Sequence, residues 1–198
     1  MDLYRIKPAL LRGLEPLLVR LERSGVSPDA LTLAAVPIAA IAGAAVLVST
    51  STPALLVLVP IAAGLRILLN LLDGALARRT GRIHPRGEFY NEVGDRMADV
   101  LMLAPVAAVP EAHGPTVLLG VTVGVLASFA AVATKAAGGS RSYRGLLSKP
   151  GRMVLLSVTA IAVIVIGPVA WGPFGPLLLL GTGVTLAERL VVGVRELP

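Results

Sequence analysis

The sequence predicts an all-α integral membrane protein, with six transmembrane helices behind an N-terminal amphipathic juxtamembrane helix and both termini cytoplasmic. Three observations lead there. Of 198 residues, 55% are hydrophobic and only 15% are charged, which is too apolar for an ordinary soluble domain. Apolar stretches of about 20 residues, enough to cross roughly 30 Å of hydrocarbon, recur along almost the whole chain. Lys and Arg gather in alternate connections, as the positive-inside rule requires.

The elements follow in order. Leu3, Ile6, Leu10, Leu14, Leu17 or Leu18, and Leu21 recur at helical steps with basic residues between them. This pattern describes an interfacial helix over residues 1–25, made irregular by Pro8 and Pro16. Because that segment also holds Arg5, Lys7, Arg12, Glu15, Arg20, Glu22 and Arg23, no cleavable signal peptide is expected and the segment should stay cytoplasmic. Residues 26–198 then read as one six-helix bundle, so that 1–198 form a single membrane domain. Its spans are Leu31 to Ser49, Ala54 to the Asp73 region, Gly87 to Val109, Thr116 to Thr134, Met153 to Trp171 and Phe174 to Val194, separated by Pro- and Gly-containing turns.

The turns at 49–53, 110–115 and 167–173 contain no Lys or Arg, whereas the amino terminus, the 78–86 and 135–152 loops and the carboxyl terminus hold nearly all of them. The net charge of +6 is therefore assigned to topology and anionic lipid, with no nucleic-acid partner. The absence of cysteine excludes disulfides, thiolate metal sites and cysteine nucleophiles.

Against this background the stretch NLLDGALARRTGRIHPRGEFYNEVGD, residues 70–95, is unusual. Asn70 and Asp73 are three residues apart and Asn91 and Asp95 four, so each pair projects from one helix face. A basic loop between them lets the two helices run antiparallel, and four oxygen-bearing side chains converge at the cytoplasmic membrane boundary. An unpartnered carboxylate at such depth costs about 3 kcal/mol or more. Pairing of Asp73, Asp95 and Asp99 with Arg66, Arg78 or Arg96 is one explanation. Hard oxygen donors on facing helices beside a basic loop also describe a magnesium site for a phosphorylated substrate, and that reading is preferred. Gly74 and Gly87 would allow close approach of a ligand to the backbone.

The spacing Asn70-x2-Asp73-Gly74-x2-Ala77-Arg78-x8-Gly87-x3-Asn91-x3-Asp95 resembles the D-x2-D-G-x2-A-R-x8-G-x3-D-x3-D motif of the CDP-alcohol phosphatidyltransferases, membrane enzymes of phospholipid synthesis. GVSPDALTL, with Pro28, Asp29 and Thr32, and GGSRSYRGLLSKPGRM in the fourth connection are similar to further family stretches, so the resemblance covers essentially the whole chain. It implies transfer of a phosphatidyl group from CDP-diacylglycerol to an alcohol with release of CMP, at a site facing the cytoplasm in the cell membrane. It implies divalent metal, Mg2+ or Mn2+, held by Asp73 and Asp95 with Asn70, Asn91 and Asp99. Asp95 would be the catalytic base, and Asp29, Thr32, Asp73, Gly74, Ala77, Arg78 and Gly87 would line the CDP pocket. Relatives are commonly dimers, and Gly43, Ala44 and Gly124 would permit close helix contacts in a homodimer.

Asn70 and Asn91 stand where the family motif has its first and third aspartates. An amide oxygen can ligate a hard cation but brings no charge and cannot act as a base. Three outcomes follow physically: a single metal, two metals bound weakly until the substrate pyrophosphate supplies charge, or a site that no longer turns over. Asp99 and Glu92 are the nearest sources of replacement charge.

Lys135, Arg141, Arg144, Lys149 and Arg152 cluster in the fourth connection. They serve topology alone or, as arginine forks suit phosphate, recognise an acceptor such as glycerol 3-phosphate or an inositol phosphate. Lys135, Arg141, Arg144 and Arg152 are the acceptor-binding candidates. Solitary His84 and His113 are not expected to act as ligands, and Trp171 and Tyr4 are expected as interfacial anchors. The competing class is a non-catalytic CDP-lipid-binding or scaffold protein of the same fold. A transporter fits less well, because the polar residues gather at one membrane face.

Overall fold

The computed structural model describes residues 11–197, which are all-helical apart from turns and loops. The amphipathic segment before Leu11, including Tyr4, lies outside the described residues. Seven helices follow: α1 (Glu15–Arg23), α2 (Pro28–Leu47), α3 (Leu58–Thr80), α4 (Pro85–Leu103), α5 (Gly114–Ala136), α6 (Lys149–Ile166) and α7 (Phe174–Glu196). Short 3-10 segments at Pro53–Val57, Ala104–Ala108, Pro110–Ala112 and Pro168–Trp171 occupy the proline-containing turns. Among the described residues, five segments are long and apolar enough to cross a membrane: Pro28–Leu47, Pro53–Thr80, Gly114–Ala136, Lys149–Ile166 and Pro168–Glu196. The remaining predicted span, α4, has the length but carries Arg86, Glu88, Glu92, Asp95, Arg96 and Asp99, so its charge keeps it out of that set.

The chain divides into two compact units, Met1–Ile38 with Gly64–Ala98, and Ala39–Ala63 with Asp99–Pro198. In the first, the leucine stripe of α1 is covered by protein. Leu18 is buried with Leu31, Leu72 and Leu76, and Leu11, Leu14 and Leu21 pack around them. Arg79, near the end of α3, pairs with both Glu15 and Glu22, which stand seven residues apart on the same side of that stripe. The described part of the segment read as an interfacial helix is thus docked on α2 and α3.

Local chemistry sets the boundaries in this unit. Gly25 takes a positive φ of 69° after α1, a conformation that costs a glycine little. Ser27 Oγ then accepts the Ala30 amide at 3.1 Å, capping α2, with Pro28 at the first helical position. The α3–α4 hairpin is equally explicit. Gly81 has φ 67°, Arg82 donates its amide to Ala77 O at 3.0 Å, and His84 Nδ1 accepts the Gly87 amide at 3.1 Å ahead of α4. These devices satisfy the backbone groups left over at helix ends.

The second unit is built on close approach at small residues. A Cβ on Gly120 would stand 2.9 Å from Leu178 Cγ, and one on Gly124 3.3 Å from Thr182 Cγ2. Thr182 Oγ1 also donates to Gly120 O at 3.1 Å, tying α7 to α5. Of the small residues read as permitting a homodimer, Ala44 is exposed, and Gly43 and Gly124 are buried within the chain. Trp171 is likewise buried, edge-on to Phe174 at 5.9 Å, and does not serve as an outward anchor.

One substitution tests this packing. A Cβ on Gly43 would lie 2.1 Å from Leu101 O and 2.9 Å from Pro105 Cγ, and a backbone carbonyl cannot swing aside as a side chain can. Gly43→Ala is expected to destabilise by about 1–3 kcal/mol. Gly124→Ala, which meets only side-chain atoms at 3.3 Å or more, should be milder. Apparent melting temperatures of the two variants in detergent check this order.

Candidate active site

α3 presents Asn70, Asp73, Gly74, Ala77 and Arg78 along its last turns, and α4 presents Gly87, Asn91 and Asp95. Asp73 and Asp95 are both buried. Asn70 Nδ2 donates to Asp95 Oδ1 at 3.4 Å, so the first motif position on one helix meets the last on the other, as an antiparallel hairpin requires. Asn91 is half-buried, one turn before Asp95. Thr32, from the first turns of α2, donates its hydroxyl to Asp73 Oδ2 at 2.7 Å and is itself buried.

The glycines of the motif make room for side chains. A Cβ on Gly74 would stand 3.4 Å from Arg78 Nη1, and one on Gly87 3.1 Å from Asp29 Oδ1 and 3.5 Å from the His84 ring. Arg78 therefore folds back along α3 over Gly74, with its side chain exposed. Asp29 sits against the start of α4, and His84 Nε2 is 3.4 Å from Asp29 Oδ2. Asp29, Thr32, Asp73, Gly74, Arg78 and Gly87 thus belong to one neighbourhood of the first unit.

The replacement charges are engaged elsewhere. Glu92 Oε2 accepts from Arg96 Nη2 at 2.6 Å, while Arg96 Nη1 stays 3.9 Å from Asp95 Oδ2. Asp99 belongs to the second unit, where its Oδ2 accepts from Arg152 Nη2 at 2.5 Å with both side chains buried. Among the described residues no group of three or more His, Cys, Asp or Glu side chains converges as a metal site. That agrees with the donor set: two carboxylates, Asp73 and Asp95, with two amides, Asn70 and Asn91. Four hard oxygen-bearing side chains fit a divalent cation of the magnesium or manganese type, with less negative charge than four aspartates would supply.

The basic connection lies in the second unit. Lys135 is exposed in the last turn of α5, Arg141 stacks over the Tyr143 ring at 4.8 Å, and Arg144 is exposed. Arg152 differs from them. It is buried in the first turn of α6, bonded through Nη2 to Asp99 and through Nη1 to Leu147 O at 3.1 Å. Sequence reasoning set aside His84, whose ring links the Gly87 amide to Asp29, and did not single out Arg189, buried in α7. A histidine immediately before a helix-starting proline, and an arginine inside an apolar helix, were the available signals.

No family model matches the chain. Two curated relatives do. Inner membrane protein YnbA of Escherichia coli (strain K12) is 32% identical over 163 residues, covering 82% of this chain and 81% of the relative. Archaetidylinositol phosphate synthase of Aeropyrum pernix is 32% identical over 148 residues, covering 72% of this chain and 71% of the relative. Among solved structures, the fold is similar to Mycobacterium tuberculosis phosphatidylinositol phosphate synthase. With CDP-DAG bound, that protein gives a TM-score of 0.73 at 21% identity over 90% of this chain and 92% of its own. In complex with manganese and citrate it gives 0.74 at 21% identity, over 90% and 88%. Motif, fold and relatives agree, and the chain belongs to the CDP-alcohol phosphatidyltransferase family.

Proposed function

We propose that the protein transfers a phosphatidyl group from CDP-diacylglycerol to an alcohol acceptor and releases CMP. The observation that carries this reading is the pair of buried carboxylates, Asp73 and Asp95, on two helices joined by the Asn70 to Asp95 bond. Asp73 and Asp95, with the amide oxygens of Asn70 and Asn91, would hold Mg2+ or Mn2+; when bound, the cation neutralises pyrophosphate charge. Asp95 takes the proton from the acceptor hydroxyl, the oxygen forms a bond to the lipid-side phosphorus, and the bond to the CMP oxygen breaks. Arg78, beside Gly74, faces the charge left on CMP. Asp29 and Thr32 complete the nucleotide side, with Thr32 also holding Asp73 in place.

The same reading takes α4 as a sixth membrane segment, with both termini and the site cytoplasmic. The M. tuberculosis neighbour was solved with CDP-DAG and with manganese, and the A. pernix relative is an archaetidylinositol phosphate synthase. An inositol phosphate is therefore the first acceptor to test and glycerol 3-phosphate the second, with Lys135, Arg141 and Arg144 on the acceptor side. CMP release is measured on purified protein in vesicles containing CDP-diacylglycerol, with Mg2+ or Mn2+. Release with one acceptor supports the enzyme. CDP-lipid binding without release for any acceptor would instead establish the non-catalytic scaffold that Asn70 and Asn91 permit.

The donor set makes a further prediction. Asn70→Asp with Asn91→Asp restores two negative charges and should lower the metal concentration for half-maximal activity by about tenfold, since ligand charge count tunes affinity. Without metal, the same variant loses the Asn70 donor to Asp95 and gathers like charges. Its melting temperature should then fall below that of the parent and recover on metal addition.

A further inference from the structure

We propose that Thr185, Arg189 and Glu196 of α7 are positioning residues for the acceptor: they fasten the backbone of the 140–147 loop so that Arg141 and Arg144 meet the acceptor phosphate. The proposal rests on reading that loop as the acceptor end of the enzyme.

The loop has no regular secondary structure from Ser140 to Gly145, yet it is tied to α7 at three points. Glu196 accepts from the Ser140 amide at 2.9 Å and from its hydroxyl at 2.6 Å. Arg189 donates through Nε to Arg144 O at 3.0 Å, and through Nη1 to Ala127 O of α5 at 2.9 Å. Thr185 Oγ1 accepts the Leu147 amide at 2.9 Å and donates to Gly181 O at 2.8 Å. Steps of four and seven residues put the three side chains on one helix face. Residue 147 is held at both ends, because Arg152 Nη1 takes its carbonyl.

Glycines permit the approach. Gly145 has φ 135°, and a Cβ there would lie 2.2 Å from Thr185 Cγ2; one on Gly181 would lie 2.3 Å from Leu147 Cδ1. Any side chain at either position would lift the loop from α7. What α7 grips is almost entirely main chain, so the directions in which Arg141 and Arg144 leave the backbone are set by contacts that do not involve their guanidinium groups. Arg141 is further oriented over the Tyr143 ring. A phosphate-binding fork acts only within about 0.5 Å of its productive geometry. An arginine buried in an apolar helix and directed at a loop carbonyl supplies that constraint.

The test uses full-length protein in CDP-diacylglycerol vesicles, with inositol phosphate and glycerol 3-phosphate as acceptor probes. Thr185→Val and Arg189→Met should raise the acceptor KM about tenfold or more while leaving kcat and the KM for CDP-diacylglycerol within about twofold. Thr185→Ser, which keeps the hydroxyl, should restore the parent value. Trypsin should cut after Arg141 and Arg144 faster in the first two variants. Should those buried variants not fold, Glu196→Ala at the exposed end of α7 gives the same readouts. An unchanged acceptor KM, or an equal loss in kcat and both KM values, overturns the positioning role. If the parent releases no CMP with either probe, the acceptor reading fails and the positioning role with it. The trypsin rates then report separately whether α7 holds the loop, and unchanged rates overturn that as well.

Discussion

Asp95→Asn should lower CMP release by about 10²–10⁴-fold, the usual contribution of a positioned general base, while CDP-diacylglycerol still binds. The substitution is nearly isosteric, so the buried packing around residue 95 is kept and the loss reports chemistry. An amide cannot take the acceptor proton. Asp95 is also a proposed metal donor, and the variant should require more metal for what activity remains. Glu92→Gln is the control: its carboxylate is occupied by Arg96 at 2.6 Å, and the substitution should change the rate little. Equilibrium binding of CDP-diacylglycerol and single-turnover CMP release, measured on the same preparation, separate the two effects. A rate for the Asp95→Asn variant within a few-fold of the parent would remove Asp95 from the base role.

Breaking the Asp99 and Arg152 pair should have the largest effect on stability. Both side chains are buried, and the guanidinium also holds Leu147 O. Removing one member takes from the other its buried counter-charge, at a cost of about 3–5 kcal/mol. For a chain of this size that corresponds to roughly 6 to 20 °C in apparent melting temperature. Arg152→Met and Asp99→Leu should each show it, and the double variant should recover much of the loss, because replacing both removes the buried charges and leaves only neutral groups such as the Leu147 carbonyl to be satisfied. Additive losses would mean the two residues act independently. The double variant also bears on a question of role: retained stability with an unchanged acceptor KM assigns Arg152 to architecture, and retained stability with a raised acceptor KM assigns it to the acceptor end, directly or through its bond to Leu147 O.

Much of the hairpin was legible beforehand because its determinants are local. Asn70 and Asp73, and Asn91 and Asp95, share helix faces by spacing alone, and Gly81 with His84 and Pro85 sets a tight connection whose cap bonds span three to five residues. The destination of each charge was not legible. Glu92 and Asp99 were both sources of replacement charge on paper, with Asp99 the closer to the Asn91 and Asp95 face. The structure gives Glu92 to Arg96, four residues away, and Asp99 to Arg152, fifty-three residues away. Arg152 looked like any other arginine of a basic loop until its burial separated it from Arg141 and Arg144. The leucine stripe of α1 has the same periodicity whether lipid or protein covers it, and only the packing of Leu18 on Leu31, Leu72 and Leu76 distinguishes the two.

By itself, then, the sequence determined that the chain is a series of mostly apolar helices, placed to within several residues, and the register of the motif that identifies the family, whereas of its six spans five are apolar enough to cross a membrane. These depend on short-range backbone sterics, hydropathy and helical period. Only the tertiary structure decided which buried polar groups satisfy one another: Thr32 with Asp73, Asn70 with Asp95, Asp99 with Arg152, and Arg189 with the carbonyl of Arg144. Those partners lie 25 to 53 residues apart in the chain. A buried donor or acceptor must find a partner wherever the fold brings one, and no local pattern encodes which one that is.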